Sequence, residues 1–533
     1  MAALALLIST AARAAVVNVT NDITGTTTWY ATNTYLLRTV VYVQSNGVLH
    51  IEPGTVVKGA TDNLIQRTDI PLLVSALWVT RGGKLYATGT VERPIVFTYE
   101  GDNVNDPHDV PFNTSGQWGG VILLGRATIN SAQNLVGNNA TPKYELYEGV
   151  EGPGPNGEHI FGGNDDDDNS GALRYVSIRY SGREFANAKE LNGLTIGGVG
   201  RGTTIEYVEV FGSSDDAFEW WGGTVNTRYL VAAFNEDDDF DTDQGYRGTN
   251  QFWFGIKPPW SGTTDSRAFE TDGDLYQTAT QNEFPISQWA VYNATLIGRG
   301  TNETSTALGR GWNARDETAA NVIDSIITDF NTGLLLDSDG LRYFTNNPPE
   351  ANALNNIWGV VNTTASANGD FLFTDAARMN SVQNPMLGGV SYTNNLGLNP
   401  RPQAGSPAFS NVLPQPAGLV QTSYRGAFGT NDLWAHKWTA LYKLGYLQGT
   451  WYPSEVVAPP TCDPVSLSIT RSGGQVTISW TGSADCSYRL ESTTGLGANP
   501  IVWTTEGNFN GAGPHQHTTA AGGTLKVFRV TTP

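Results

Sequence analysis

Residues 207–223, YVEVFGSSDDAFEWWGG, match residues 229–245, YLVAAFNEDDDFDTDQG, at a constant offset of 22. Tyr207 falls on Tyr229, Val208 on Leu230, Asp215 on Asp237, Asp216 on Asp238, Phe218 on Phe240, Glu219 on Asp241 and Gly223 on Gly245. LRYVSIRYSG (173–182) matches IEYVEVFGSS (205–214) at an offset of 32, and VIDSIITDFNTGLLLDSDG (322–340) repeats the pattern loosely. A period near 22 with short strand-like stretches and no helical pattern marks the coil of a β-solenoid. Such a coil buries its inward residues only against the next coil, about 4.8 Å away. Equivalent residues then form ladders, with Phe218 over Phe240 inside and Asp215 over Asp237 at a corner. A set of separate β-sandwiches accounts for the strands but not for the self-match. The expected fold is all-β, a right-handed parallel β-helix followed by a small C-terminal β-sandwich.

Composition agrees. Charged residues are 15% of the chain, against 61 glycines and 15 tryptophans, too aromatic for disorder and too poor in Lys and Glu for a helical protein. Punctuation by Pro and Gly sets the expected divisions. Residues 1–14 read as a signal peptide with cleavage expected after Ala14 of the Ala12-Arg13-Ala14 site, although the basic leading region is missing, as in a truncated one. Residues 15–34 form a strand-like segment suited to an assembly arm, and 35–398 the helix. Residues 399–455 are Pro-rich and end in a capping helix with Asp432 as N-cap, Trp434, Trp438, Leu441 and Leu444 on one face, and Gly445 as stop. Residues 456–460 read as a linker, and alternating strands over 461–533 as the sandwich. The two cysteines, Cys462 and Cys486, fall together in that last region and read as one disulfide. No stretch is apolar for long enough to span a membrane.

The net charge of −20 repels phosphate backbones and excludes nucleic acid as a natural partner. Residues 151–250 carry 19 carboxylates against 7 basic residues. They cluster as Asp165, Asp166, Asp167 and Asp168; as Asp215, Asp216 and Glu219; and as Glu236, Asp237, Asp238 and Asp239 with Asp241 and Asp243, while Glu270, Asp272 and Asp274 form a smaller group. Stacked carboxylates about 5 Å apart repel one another. Either their pKa values rise or a cation lies between them. Calcium takes six to eight oxygens, including carboxylates, carbonyls and Asn side chains. Asn169 and Asn235 lie nearby, and no His or Cys accompanies the clusters, which excludes zinc chemistry. Calcium is therefore the expected cofactor, and a solvated acidic loop is the plainer alternative, above all for residues 165–168.

A catalytic reading rests on less. β-Helices host polysaccharide lyases with an Arg or Lys base and hydrolases with paired carboxylates, and Arg179, Arg183 and Lys189 are candidate bases that no spacing singles out. No nucleophile elbow, zinc-protease motif or phosphate loop occurs. The aromatic runs Trp220-Trp221, Phe252-Trp253-Phe254 and Trp260 suit core packing, carbohydrate stacking or an interface.

QWGGVILLGRATIN (117–130), DDNSGALRYVSIRYSG, ELNGLTIGGVG, SSDDAFEWWGGTVNTRYLVA, NEDDDFDTDQGY and YRGAFG (424–429), followed by Trp434 and Trp438, together resemble a group of secreted bacterial β-helix surface proteins of S-layer-associated type. The resemblance covers roughly residues 35–440 and implies a parallel β-helix and an extracellular or cell-surface location, without bringing a reaction. The final region is similar to fibronectin-type or immunoglobulin-like modules. A strand-like N-terminal segment and open sandwich edges would allow one subunit to complete another's sheet, giving self-association as a head-to-tail fibre. The expected function is a calcium-stabilised extracellular structural protein of the surface, matrix or a filament. The alternative is a protein that binds or cleaves polysaccharide, with glycans as partners.

Overall fold

Strand Gly171–Arg179 lies parallel to Thr204–Phe211 with Leu173 opposite Ile205, the offset of 32 in the sequence. Thr204–Phe211 in turn lies parallel to Thr227–Ala233 with Val208 opposite Leu230, the offset of 22. The chain thus coils into stacked parallel strands. These are seen in a computed structural model that describes residues 15–130, 142–187, 189–260, 267–273, 284–300, 309–448, 467–472, 475–482, 487–493, 504–510, 513–520 and 527–531.

Residues 1–451 form one unit and 452–533 a second. In the first, a ten-stranded sheet runs from Val40–Val43 through Phe218–Gly223 and Phe240–Asp243 to Thr363–Ala365, with parallel neighbours throughout. The opposing wall is an 18-stranded sheet folded into two columns. The fold between the columns falls on one residue per coil: Tyr175, Tyr207, Tyr229, Phe252, Asn293, Asp324 and Asn355, all with φ between 48° and 61°. Left-handed backbone is uncommon for aromatic residues. Here ring stacking accompanies it, with centroids 4.5, 4.3 and 4.8 Å apart from Tyr175 to Phe252. The interior is apolar and rich in aromatic rings. Phe218 stacks on Phe240 at 5.5 Å, and Trp220 on Trp253 at 5.0 Å.

Among the described residues, parallel strand pairing runs from Ala15–Val19, which lies on Asn33–Leu37, to Ser381–Val382 on Ile357–Gly359, with one isolated parallel bridge beyond it between Leu398 and Leu447. The helix therefore starts earlier than residue 35 and stops before 398. The segment expected as an assembly arm supplies its first coil, where Ala15–Val19 and Thr26–Trp29 find parallel strand partners in Asn33–Leu37 and Val48–Ile51. The helix expected around Trp434 shortens to Ala440–Lys443, capped by Thr439, since Lys437 at φ 72° interrupts the run; Gly445 does end it, at φ 81°. This segment does not close an end. It packs along the flank of the 18-stranded sheet, with Trp434 and Trp438 edge-on to Tyr207. The interior is closed instead by Leu341–Thr345 and Phe371–Thr374, whose Phe344 and Leu372 are fully buried. Residues 142–163 and 184–187 cover part of the outer face of the ten-stranded sheet, where Tyr147, Phe161 and Phe185 pack around Trp78 and Trp221.

In the second unit, Ser468–Ser472, Gln475–Gly482 and Gly513–Ala520 form one antiparallel sheet, and Ser487–Thr493, Thr504–Asn510 and Val527–Thr531 another. Ile478, Trp480, Tyr488 and Leu490 are buried together. Cys462 and Cys486, expected to form a disulfide, and residues 1–14, expected to be a signal peptide, lie outside the described residues.

Candidate metal centre

Alternation along a strand decides which residues of the ten-stranded sheet face outward. Leu194, Phe218, Phe240 and Phe269 pack inside, so their neighbours Thr195, Glu219, Asp241 and Glu270 form an outer ladder that continues to Asn313. Just before these strands, two turns carry the remaining acids. Asn235 Oδ1 accepts the Ser213 N–H at 2.9 Å, and Asp216 Oδ1 accepts the Asp238 N–H at 2.9 Å, so the turns are stacked one coil apart.

Two carboxylate sets result. Asp215, Asp216 and Asp237 offer oxygens within 4.8 Å of one another, and so do Asp216, Glu219 and Asp241. Their neighbours have counter-charges. Asp238 pairs with Arg267 at 3.0 Å, Asp272 with Arg315 at 2.7 Å, Asp239 with Lys257 at 3.2 Å, and Glu270 with Arg315 at 2.8 Å and with Arg267. Among the described residues, none of Asp215, Asp216, Glu219, Asp237 and Asp241 forms an ion pair. Asp241 Oδ1 is shielded from solvent and has no hydrogen-bond partner there. Burial, with the carboxylates of Glu190 and Glu148, pushes Asp215 up to about 7. Burial, with Asp238 and Asp215, pushes Asp237 up to about 8. Burial and adjacent acids hold Asp216, Glu219 and Asp241 well above the usual carboxylate range. Asp239 rises to about 7 through burial, against the pull of Lys257. The unpaired donors are all hard oxygens, a set that fits calcium and not zinc.

The other expected ligands are placed elsewhere. Asp166 is held by Arg247 through two contacts of 3.0 and 3.1 Å and by the Thr128 N–H at 2.9 Å. Burial raises its pKa but these contacts outweigh it, and the net direction is down. Asp167 is exposed beside Arg201, Asp165 accepts the Asp167 N–H at 3.2 Å, and Asp168 accepts the Arg126 N–H at 3.0 Å. These four residues pin a loop and join neither carboxylate set. Asp243 accepts the Gln244 N–H at 2.6 Å and also stands outside both sets.

Of the candidate bases, Arg179 is buried and donates to Ser177 Oγ at 2.9 Å. Arg183 reaches the Gln117 carbonyl at 3.4 Å, and Lys189 pairs with Glu148 at 2.7 Å. None forms an ion pair with the five unpaired carboxylates. Residues not singled out in the sequence complete the site. Asn192 donates to Glu219 at 2.5 Å, and Lys257, Arg267 and Arg315 divide the acids into paired and unpaired. Their positions one coil away from the acids were readable only with the strand register in hand.

The stacked parallel strands around an aromatic interior define a parallel β-helix protein. The chain belongs to the family described as pectate-lyase like beta helix domain, matched over residues 21–386. Comparison with curated proteins finds no match. No described helix is long and apolar enough to cross a membrane.

Proposed function

We propose that this chain is an extracellular structural β-helix protein of a bacterial surface, its matrix or a self-assembling filament, and that calcium at the acidic corner stabilises its coils. The observation that carries the reading is the division of charge. Arg267, Arg315 and Lys257 form ion pairs with the surrounding acids, and Asp215, Asp216, Glu219, Asp237 and Asp241 form none among the described residues. Repulsion at these separations in a partly desolvated corner makes a bound divalent cation the economical solution. The half-buried acids come from successive coils, so an ion there ties coil to coil, a role suited to a durable scaffold. Chelation is expected to lower the melting temperature and, for assembled material, to shorten or dissolve particles seen by electron microscopy. A melting temperature and particle length unchanged by EDTA would sink the proposal.

One observation favours a second reading, a protein that binds or cleaves polysaccharide: the family description itself, together with the partial exposure of Asp215, Glu219, Asp237 and Asp241. A panel of acidic and neutral glycans separates the two. Binding or release of oligosaccharides supports the second reading, and inertness across the panel leaves the structural one.

A further inference from the structure

Lys257 is the only buried lysine among the described residues, and the carboxylate it faces is buried as well. Its ammonium stands 3.2 Å from Asp239 Oδ1, the two side chains 1% and 0% exposed, and it also donates to the Asp237 carbonyl. Both partners are mounted rigidly. Lys257 directly follows strand Thr249–Ile256, with its N–H on the Ile297 carbonyl at 2.9 Å. Asp239 directly precedes strand Phe240–Asp243, with its N–H on the Arg267 carbonyl at 3.1 Å. The second carboxylate oxygen is bare: Asp239 Oδ2 is shielded from solvent and has no hydrogen-bond partner among the described residues. Nearby, the buried amide nitrogen of Asn235 has none either. Gly255 makes room for the carboxyl group, since a Cβ there would lie 2.6 Å from Oδ2 and 3.3 Å from Cγ.

An ion pair placed this deep has lost the hydration of both charges, and attraction offsets that loss only where the remaining lone pairs are satisfied. Here one oxygen is not. An amide between the two side chains removes both charges and leaves a neutral carbonyl, for which Asn235 is the donor at hand. Nucleophile and carboxyl group already share the proximity and fixed orientation that turn a slow condensation into an intramolecular one. We propose that Lys257 and Asp239 are joined by an isopeptide bond, a covalent clasp within one coil. The step balances inside the pair. One ammonium proton passes to Asp239 Oδ1, the freed amine attacks Cγ, and the Nζ–Cγ bond forms as the Cγ–Oδ1 bond breaks. A second nitrogen proton leaves with that oxygen as water. The third stays on the amide nitrogen, where the Asp237 carbonyl accepts it. No proton is exchanged with solvent, and nothing is oxidised or reduced. The bond ties the start of strand Phe240–Asp243 to the end of Thr249–Ile256. It needs no cation and stands apart from the calcium reading.

The test is the intact mass of the full chain, purified folded and then reduced and unfolded in guanidinium, with its N-terminus assigned by sequencing. The wild type should be lighter than its sequence by one water. Chymotryptic digestion should release a branched peptide joining the segments around Asp239 and Lys257. Lys257→Arg keeps the positive charge but not the amine nucleophile, and Asp239→Ala removes the carboxyl group. Both variants should show their full sequence mass and no branched peptide. Prior treatment with EDTA should leave the missing water unchanged, which separates the bond from any bound cation. A wild type at full mass overturns the bond and needs no variant to do so. A missing water that persists in Lys257→Arg, or a branch at other residues, overturns the assignment to this pair.

Discussion

The main-chain N–H of Asp238 donates to Asp216 Oδ1 at 2.9 Å across one coil of the helix. One of the cluster's own carboxylates therefore fixes the register of the two turns that carry it. Asp215 and Asp237 on either side form no ion pair among the described residues, although Lys257 and Arg267 stand near enough to pull Asp237 down against its burial. The corner is thus built geometrically before it is neutralised.

That order has a consequence for pH. Folding raises Asp215 to about 7 and Asp237 to about 8, above the value near 4 expected in the unfolded chain. Between those limits the folded state binds more protons than the unfolded one, so stability falls as pH rises. In EDTA the melting temperature is expected to drop by several degrees from pH 5 to pH 8. In saturating calcium the ion takes the place of the protons and the decline should largely disappear. A melting temperature in EDTA that climbs across this window would contradict the assignment.

The aromatic interior carries the bulk of the stability. Phe240 is fully buried between Phe218 and Phe269, with Trp253 4.5 Å away. Phe240→Ala leaves a ring-sized cavity that rigid coils cannot collapse into, a loss of about 3–5 kcal/mol. Phe240→Leu retains most of the volume and should cost less than half as much. Denaturant melts of the two variants measure the difference.

The self-match at 22 was enough to stack Phe218 on Phe240 and Glu219 opposite Asp241, because period and register are the same quantity in a solenoid. It also located Asp215, Asp216 and Asp237 together. Which acids lack a counter-charge was not readable, since Arg267 and Arg315 reach their partners only after coils of unequal length are closed. Asp166 shows the converse, because an acidic run looks the same in sequence whether Arg247 grips it or a metal does. The flanking segment was misjudged at its helix for a local reason, the left-handed turn at Lys437, and at its role because the groups that hold it are remote.

Glu209 is the clearest of those groups. Fully buried beneath the segment, it accepts N–H donors from Ala440 and, at 3.1 Å, Leu441, and the Ser177 hydroxyl at 2.6 Å. Glu209→Ala strips two main-chain donors of a charged acceptor, a cost of about 3 kcal/mol or more. The loss should be local. Amide exchange at Ala440 and Leu441 and proteolytic cleavage after residue 400 are expected to accelerate, with the coils still protected. Uniform loss of protection throughout the helix would show that the segment is integral to it.

At the corner between the two columns, Tyr229 holds φ 58° and stacks between Tyr207 and Phe252. Later coils place Asn293 and Asn355 at the same position, residues that tolerate left-handed backbone. Tyr229→Asn loses the stack but suits the backbone, whereas Tyr229→Val loses the stack and adds strain of about 1–2 kcal/mol. Thermal melts should rank the chains as wild type above Asn above Val. A valine variant as stable as the asparagine one would mean that the corner relaxes freely.

Lys257 and Asp239 are both almost wholly buried, 3.2 Å apart, and the lysine also donates to the Asp237 carbonyl. Removing one partner of such a pair leaves a buried charge, at a cost of about 3–5 kcal/mol, while replacing both can be nearly neutral. Lys257→Met alone therefore strands the buried Asp239 carboxylate close to that of Asp238. Asp239→Asn restores much of what that change loses, because an amide needs no counter-ion. The double variant should be more stable than Lys257→Met by at least about 1 kcal/mol, which a double-mutant cycle on denaturant midpoints resolves. The sign of the calcium response tests the same electrostatics from the other side. Lys257→Met adds an uncompensated negative charge near Asp237, so calcium should stabilise this variant by more than it stabilises the wild type. An equal calcium increment in both chains would show that the pair and the corner are electrostatically independent.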